Sequence, residues 1–220
     1  MAKRVGVLLS GCGVMDGSEI HEAVLTLLAI DTAGAQAICI APSTDQMHVV
    51  NHVAGQPVAG QRRSILEEAA RIARGMIRDV ATVRATDLDA LALPGGFGAA
   101  KNLCTYAVDG INCKVNPDVE RLVREMHKAQ KPQAAICIAP VLLCKILGKN
   151  AALTVTIGND PATADHIRQL GCRHVNCPVK DCVVDKANKI VTTPAYMLAE
   201  TIGEVAAGVE RAIRTLIEMA

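Results

Sequence analysis

Short apolar runs cut off by glycine or proline alternate along this chain with longer segments of helical spacing, and no other feature constrains the fold as tightly. V5-G-V-L-L9 reads as a first strand, followed by the glycine-rich loop S10-G-C-G-V-M-D-G17. Ser18 suits the N-cap of a helix running to about Thr32, which Gly34 ends. A strand over 35–40 and a weaker one over 47–52 come next, then a helix over 64–73 with Glu67, Glu68, Arg71 and Arg74 polar. D89-A-L-A-L93 is a strand cut by P94-G-G-F-G98. Asn116 followed by Pro117 marks a capped helix start with proline in the first turn, running to about Ala129. A strand over 133–137, a helix over 138–147, a strand over 153–157 and a helix over 162–170 continue the pattern. Short β runs at 181–184 and 189–193 and an amphipathic helix over 197–218 complete it. Such alternation predicts an α/β fold with a mainly parallel sheet covered on both faces. With no linker, repeat or low-complexity stretch, a single domain over 1–220 is expected.

Composition then removes whole classes of function. Half of the residues are hydrophobic and 20% are charged, which suits a globular chain with a large core. A net charge of +1 gives no reason to expect nucleic acid or an acidic membrane surface as partner. Phe97, Tyr106 and Tyr196 are the only aromatic side chains, so platforms for base stacking are few. No apolar run approaches the roughly 20 residues of a membrane span. The start passes directly into a strand with no signal-like segment, which predicts a cytoplasmic protein, or a mitochondrial matrix protein if a transit peptide has been removed. Nine cysteines, at 12, 39, 104, 113, 137, 144, 172, 177 and 182, form no C-x-x-C pair. That is no zinc layout, and no metal is expected; free thiols in a reducing compartment are. Free cysteine usually packs as a small hydrophobe, so a chemical role needs context.

Context is found where function gathers in parallel sheets, at the carboxyl ends of the strands. Cys137 lies at the join of the strand ending at 137 and the helix that follows, where a sharp turn presents a side chain to a cleft. A helix start beneath it would favour the thiolate. On the first helix, Glu19 and Glu22 are three apart and share a side with Thr26, whereas His21 points elsewhere. Either glutamate is a candidate proton partner for Cys137, unless the stripe is simply solvated. P94-G-G-F-G98 is either a tight turn or an oxyanion hole in which the Gly96 and Ile138 N–H groups bind developing oxygen charge. Gly11, Gly95 and Asn102, in or beside the same loops, are candidate substrate-contacting positions. The loop over 10–17 departs from the dinucleotide fingerprint, with Asp16 where the third glycine belongs, which counts against a nucleotide cofactor.

Four segments carry a family resemblance: S-G-C-G-V-M-D-G-S-E-I-H-E-A at 10–23, L-P-G-G-F-G-A-A-K-N-L at 93–103, C-I-A-P at 137–140 and K-I-V-T-T-P-A-Y-M at 189–197. In this order they resemble the ElbB family, glyoxalase-like proteins also labelled isoprenoid-biosynthesis proteins, within the PfpI and class I glutamine-amidotransferase-like superfamily. The resemblance implies a flavodoxin-like three-layer α/β/α sandwich, Cys137 on a nucleophile elbow, Glu22 as its acid, and Gly96 and Ile138 as oxyanion donors. It further implies a homodimer or higher homo-oligomer, and conversion of glyoxal to glycolate without metal or organic cofactor. Amidase and protease relatives carry a histidine after the strand that follows the elbow helix, where this chain reads T154-V-T-I-G-N-D160. That departure speaks against a Cys-His-acid amidase or protease, with His21 as the one conceivable substitute. The expected chemistry is addition of Cys137 to an aldehyde of a small dicarbonyl, proton relay by Glu22 with Glu19 or His21, and thioester hydrolysis. A redox or carbonyl-stress sensor, or an isoprenoid-biosynthesis accessory protein using the same thiol, is the alternative.

Overall fold

The structure, a computed structural model, describes residues 2–220. In chain order the elements are β1 (Arg4–Leu8), α1 (Ile20–Thr32), β2 (Gln36–Ala41), β3 (Val50–Asn51), β4 (Gln56–Pro57), α2 (Ile65–Ile72) and β5 (Ile77–Asp79). They continue with β6 (Ala90–Leu93), α3 (Phe97–Lys101), α4 (Tyr106–Asp109), α5 (Pro117–Lys128), β7 (Gln133–Ile136), α6 (Pro140–Ala151) and β8 (Thr154–Val155). The last are α7 (Pro161–Gln169), β9 (Arg173–His174), β10 (Val183–Asp185), β11 (Ile190–Thr193) and α8 (Ile202–Glu218). Seven strands form the central sheet in the order β10-β11-β7-β6-β1-β2-β5, parallel except for the β10–β11 pair.

Side chains alternate across this sheet. Val5, Val7 and Leu9 point into one buried layer with α1, α2 and α8, and Leu8 points into the other with α5, α6 and α7. Both faces are thus dry, and the fold is a flavodoxin-like three-layer sandwich. The inner strands β6 and β7 are buried along their whole length and rich in alanine, which lets helices approach closely. After β1 the chain builds outward through β2 and β5, then returns to place β6 on the other side of β1. That reversal opens a crevice at the carboxyl ends of β1 and β6, where ligands bind in sheets of this kind.

Several expected elements are corrected. Ser18 does not cap α1, because its Oγ accepts from Ser10 N at 2.9 Å; Glu19 takes the cap position, accepting from Glu22 N at 2.7 Å. The run at 47–52 yields only β3, paired with β4 away from the main sheet. The run at 153–157 yields β8, which pairs with β9. Its amides are drawn to side chains, Thr154 N to Asp185 Oδ2 and Thr156 N to Thr192 Oγ1, so no backbone ladder joins it to the sheet. The last helix begins at Ile202, after a 3-10 turn over Ala195–Met197. P94-G-G-F-G98 is more than a turn, since α3 starts within it.

Candidate active site

Cys137 follows the last residue of β7 with φ at +63°, a conformation a non-glycine residue holds only when its surroundings insist. The surroundings do so from both sides. Cys137 N donates to Thr193 O of β11 at 3.0 Å, and Ala139 N donates back to Ile136 O at 3.0 Å, closing the elbow before Pro140 opens α6. The turn ejects the thiol from the sheet plane. It is 8% exposed and, among the nine cysteines, the only one lining the cavity described below.

Glu22 reaches the sulfur from α1. The cap bond through Glu19 fixes the first turn of that helix and leaves Glu22 fully buried. Its Oε2 accepts from Gly95 N at 2.9 Å and its Oε1 from Tyr196 N at 3.3 Å, and the Cys137 thiol lies beside the carboxylate. Four elements meet at this point: α1 after β1, the loop after β6, the elbow after β7 and the turn after β11. Gly95 is the spacer between them. A Cβ there would lie 2.5 Å from Cys137 Cβ and 2.6 Å from Glu22 Oε2. Gly96, at φ +93°, turns its N–H toward the sulfur beside that of Ile138.

Burial, then the charge of Glu19, pushes Glu22 up from 4.5 to about 7. Burial, then the Glu22 carboxylate, pushes the Cys137 thiol well above the ordinary cysteine range, against the pull of the Gly96 and Ile138 amides. The expectation of a thiol ionised by a helix start is therefore corrected. α6 begins three residues after Cys137 and with a proline, so Ile138 is the one amide of that segment acting on the sulfur, and burial outweighs it. At neutral pH the pair holds a proton at the thiol with a half-protonated acid against it. It is a carboxyl–thiol couple rather than a free thiolate.

The cavity in front of the sulfur measures about 300 Å³. Val14, Phe97, Ala100, Tyr106, Ala107, Ile138 and Met197 form most of its wall, and Glu19, Gly96 and Tyr196 complete it beside Cys137. Glu19, a candidate from the sequence, is at the wall. His21 is exposed instead, with Nδ1 2.7 Å from Tyr196 Oη, and is not a partner of Cys137 because its side of α1 faces away from the elbow. Gly11, Gly95 and Asn102, the candidate substrate-contacting positions, are also absent from the wall. Asn102 spends its amide on the loop backbone: Nδ2 donates to Ser10 O and Asp16 O at 2.8 Å each, and Oδ1 accepts from Met47 N at 2.9 Å. A Cβ at Gly11 would lie 2.8 Å from Gln46 Oε1, so that glycine serves loop packing. Cys12 sits among Glu68, Arg71 and Asp16, not at the elbow.

Tyr196, Tyr106, Phe97 and Met197 were not candidates from the sequence. A signal was available, since the three aromatic residues of the whole chain all line this one cavity.

A scan against protein-family models finds no match. The chain is 45% identical over 227 residues to the human glutamine amidotransferase-like class 1 domain-containing protein 3, mitochondrial, spanning 99% of this chain and 84% of that protein. A crystal structure of an isoprenoid biosynthesis protein with amidotransferase-like domain from Ehrlichia chaffeensis superposes with a TM-score of 0.93 at 38% identity, covering 99% of each chain. Drosophila melanogaster DJ-1beta, at a TM-score of 0.58 and 20% identity over 100% of this chain and 96% of its own, shares the fold. No helix among the described residues is long and apolar enough to cross a membrane. The chain belongs to the family of glutamine amidotransferase-like class 1 domain-containing proteins.

Proposed function

We propose that the protein is a cofactor-independent glyoxalase of the ElbB group, converting a small dicarbonyl to a hydroxy acid with Cys137 as nucleophile. The observation that carries this reading is the Glu22 carboxyl against the Cys137 thiol at the floor of a cavity. The thiol adds across the aldehyde C=O: an S–C bond forms, and the S–H proton passes to Glu22 and on to the new oxygen. The Gly96 and Ile138 N–H groups, which act on the sulfur at rest, would donate to the developing oxygen charge. Glu22 then takes the proton from the hemithioacetal carbon and returns it to the neighbouring carbonyl carbon, while the hemithioacetal hydroxyl proton passes to the neighbouring oxygen, giving a thioester beside a new hydroxyl. Water hydrolyses that thioester, releasing hydroxy acid and restoring the thiol. One carbon is oxidised and its neighbour reduced, so no external redox partner is needed.

A proton carrier poised near 7 suits this shuttle, because it both accepts and releases at neutral pH. Glyoxal and methylglyoxal turnover by wild type and Cys137→Ala tests the reading. The variant is expected to lose at least about 10²-fold of kcat/KM; equal turnover refutes it. The alternative, an accessory protein without turnover, is favoured by the name of the E. chaffeensis relative, an isoprenoid biosynthesis protein. It predicts no dicarbonyl turnover by wild type at all. Nine free thiols suit a reducing compartment, the cytoplasm or, following the human relative's name, the mitochondrion.

A further inference from the structure

The wall of the cavity is more informative than its floor. Its volume of about 300 Å³ is that of roughly ten liquid waters, far more than a two-carbon dialdehyde displaces. No lysine, arginine or histidine lines it, and the one charged side chain besides the Glu22–Cys137 couple is Glu19, an acid. A carboxylate or phosphate on a substrate would therefore find no counter-charge in the lining and would face a like charge there. The α-carboxylate of glutamine would find no cation in the lining either.

The aromatic rings are fixed as wall. Tyr106 Oη lies 2.7 Å from His166 Nδ1, and Tyr196 Oη 2.7 Å from His21 Nδ1. Both hydroxyls thus have partners outside the lining, and the rings are left to contact a ligand. Phe97 is 53% exposed at the mouth, with Lys101 Nζ 5.1 Å from its ring centroid. Lys101 is itself engaged, donating to Met15 O at 3.0 Å. A chain with so few aromatics has placed every one of them around one reactive sulfur.

We propose that this cavity selects an uncharged aldehyde bearing an apolar, preferably aromatic, substituent beside the reacting carbon, and rejects anionic carbonyls. The proposal rests on the glyoxalase reading for its chemistry: an aryl dicarbonyl plus water gives an aryl hydroxy acid by the steps above. It rests on the wall alone for its selectivity.

The test has two arms on the full chain. The first compares kcat/KM for phenylglyoxal, glyoxal and the anionic aldehyde glyoxylate. The second compares alkylation of Cys137 by N-phenyliodoacetamide and by iodoacetate, each divided by its rate with glutathione and followed by peptide mass spectrometry. Phenylglyoxal is expected to exceed glyoxal by at least about tenfold, with glyoxylate slowest, and the phenyl reagent to exceed iodoacetate by a similar factor. Ala107→Phe, which adds bulk to the cavity wall, is expected to lower the phenylglyoxal-to-glyoxal ratio. Where any dicarbonyl is turned over, a ratio at or below one overturns the proposal. Where none is, the glyoxalase reading fails, and alkylation decides. A phenyl preference then upholds the selectivity, whereas equal rates, or no modification by either reagent, overturn it.

Discussion

Gly95→Ala is expected to abolish the proposed dicarbonyl turnover and to cost about 3 kcal/mol or more of stability, although it adds a single methyl group. The new Cβ would meet Cys137 Cβ at 2.5 Å, Glu22 Oε2 at 2.6 Å and Ile136 O at 2.9 Å. Real Cβ atoms do not tolerate such distances, and none of the neighbours can yield cheaply. Ile136 O is backbone of a central strand, Cys137 is held at positive φ by bonds to β11 and within its own turn, and Glu22 is tied to Gly95 N and Tyr196 N. Relief must come from driving Glu22 and Cys137 apart, which breaks the couple that the chemistry needs. Thermal unfolding should show a fall of about 6–12 °C for a domain of this size. Gly96→Ala is a weaker probe of the chemistry, because its clash is with Glu19 N and Gly17 O and its φ of +93° adds strain of another origin.

Stability should fall as pH rises from about 4.5 to about 7, the interval between the ordinary and the folded value of Glu22. Below this interval Glu22 is protonated in both folded and unfolded chains, and its burial carries no charge penalty. Within it the unfolded chain ionises while the folded chain resists, so each pH unit favours unfolding by about 1.4 kcal/mol, reaching roughly 3 kcal/mol in all. Glu19, Cys137 and Tyr196 face the same carboxyl, and Glu19 contributes to the rise. His174, held below 6.5 by burial, slopes the opposite way in part of the window. The quantity to measure is therefore the difference between wild type and Glu22→Gln in urea unfolding across pH 4.5–8. The variant should gain on wild type through the window and hold that gain above it; parallel curves would contradict the raised value.

The central strands were legible because each is an apolar run bounded by glycine or proline. The sharp turn at Cys137 was legible too, since a helix-opening proline three residues past Cys137 follows closely on a buried strand. β5 was missed because I77-R-D79 carries two charges in three residues at the edge of the sheet, where pairing to β2 overrides pattern. Helical spacing put Glu19 and Glu22 on one side of α1, yet it could not say which way that side faces. The usual rule that charged residues are exposed pointed wrongly for Glu22, which is wholly buried. The direction of the Cys137 shift followed the same error, because a thiol at a helix start is ionised only where water or cations can reach it. The cavity wall joins residues 14, 97, 106, 138 and 196, distances in sequence that no local pattern spans.

Whether Glu22 carries the proton of Cys137 is tested most directly in Glu22→Gln near neutral pH, by measuring Cys137 alkylation and dicarbonyl turnover on the same sample. Removing the carboxylate lifts a charge that holds the thiol up, so alkylation by a neutral reagent should become faster than in wild type. Turnover should fall by about 10²–10⁴-fold, because the shuttle between adjacent carbons is gone. A variant that keeps wild-type turnover would contradict the assignment.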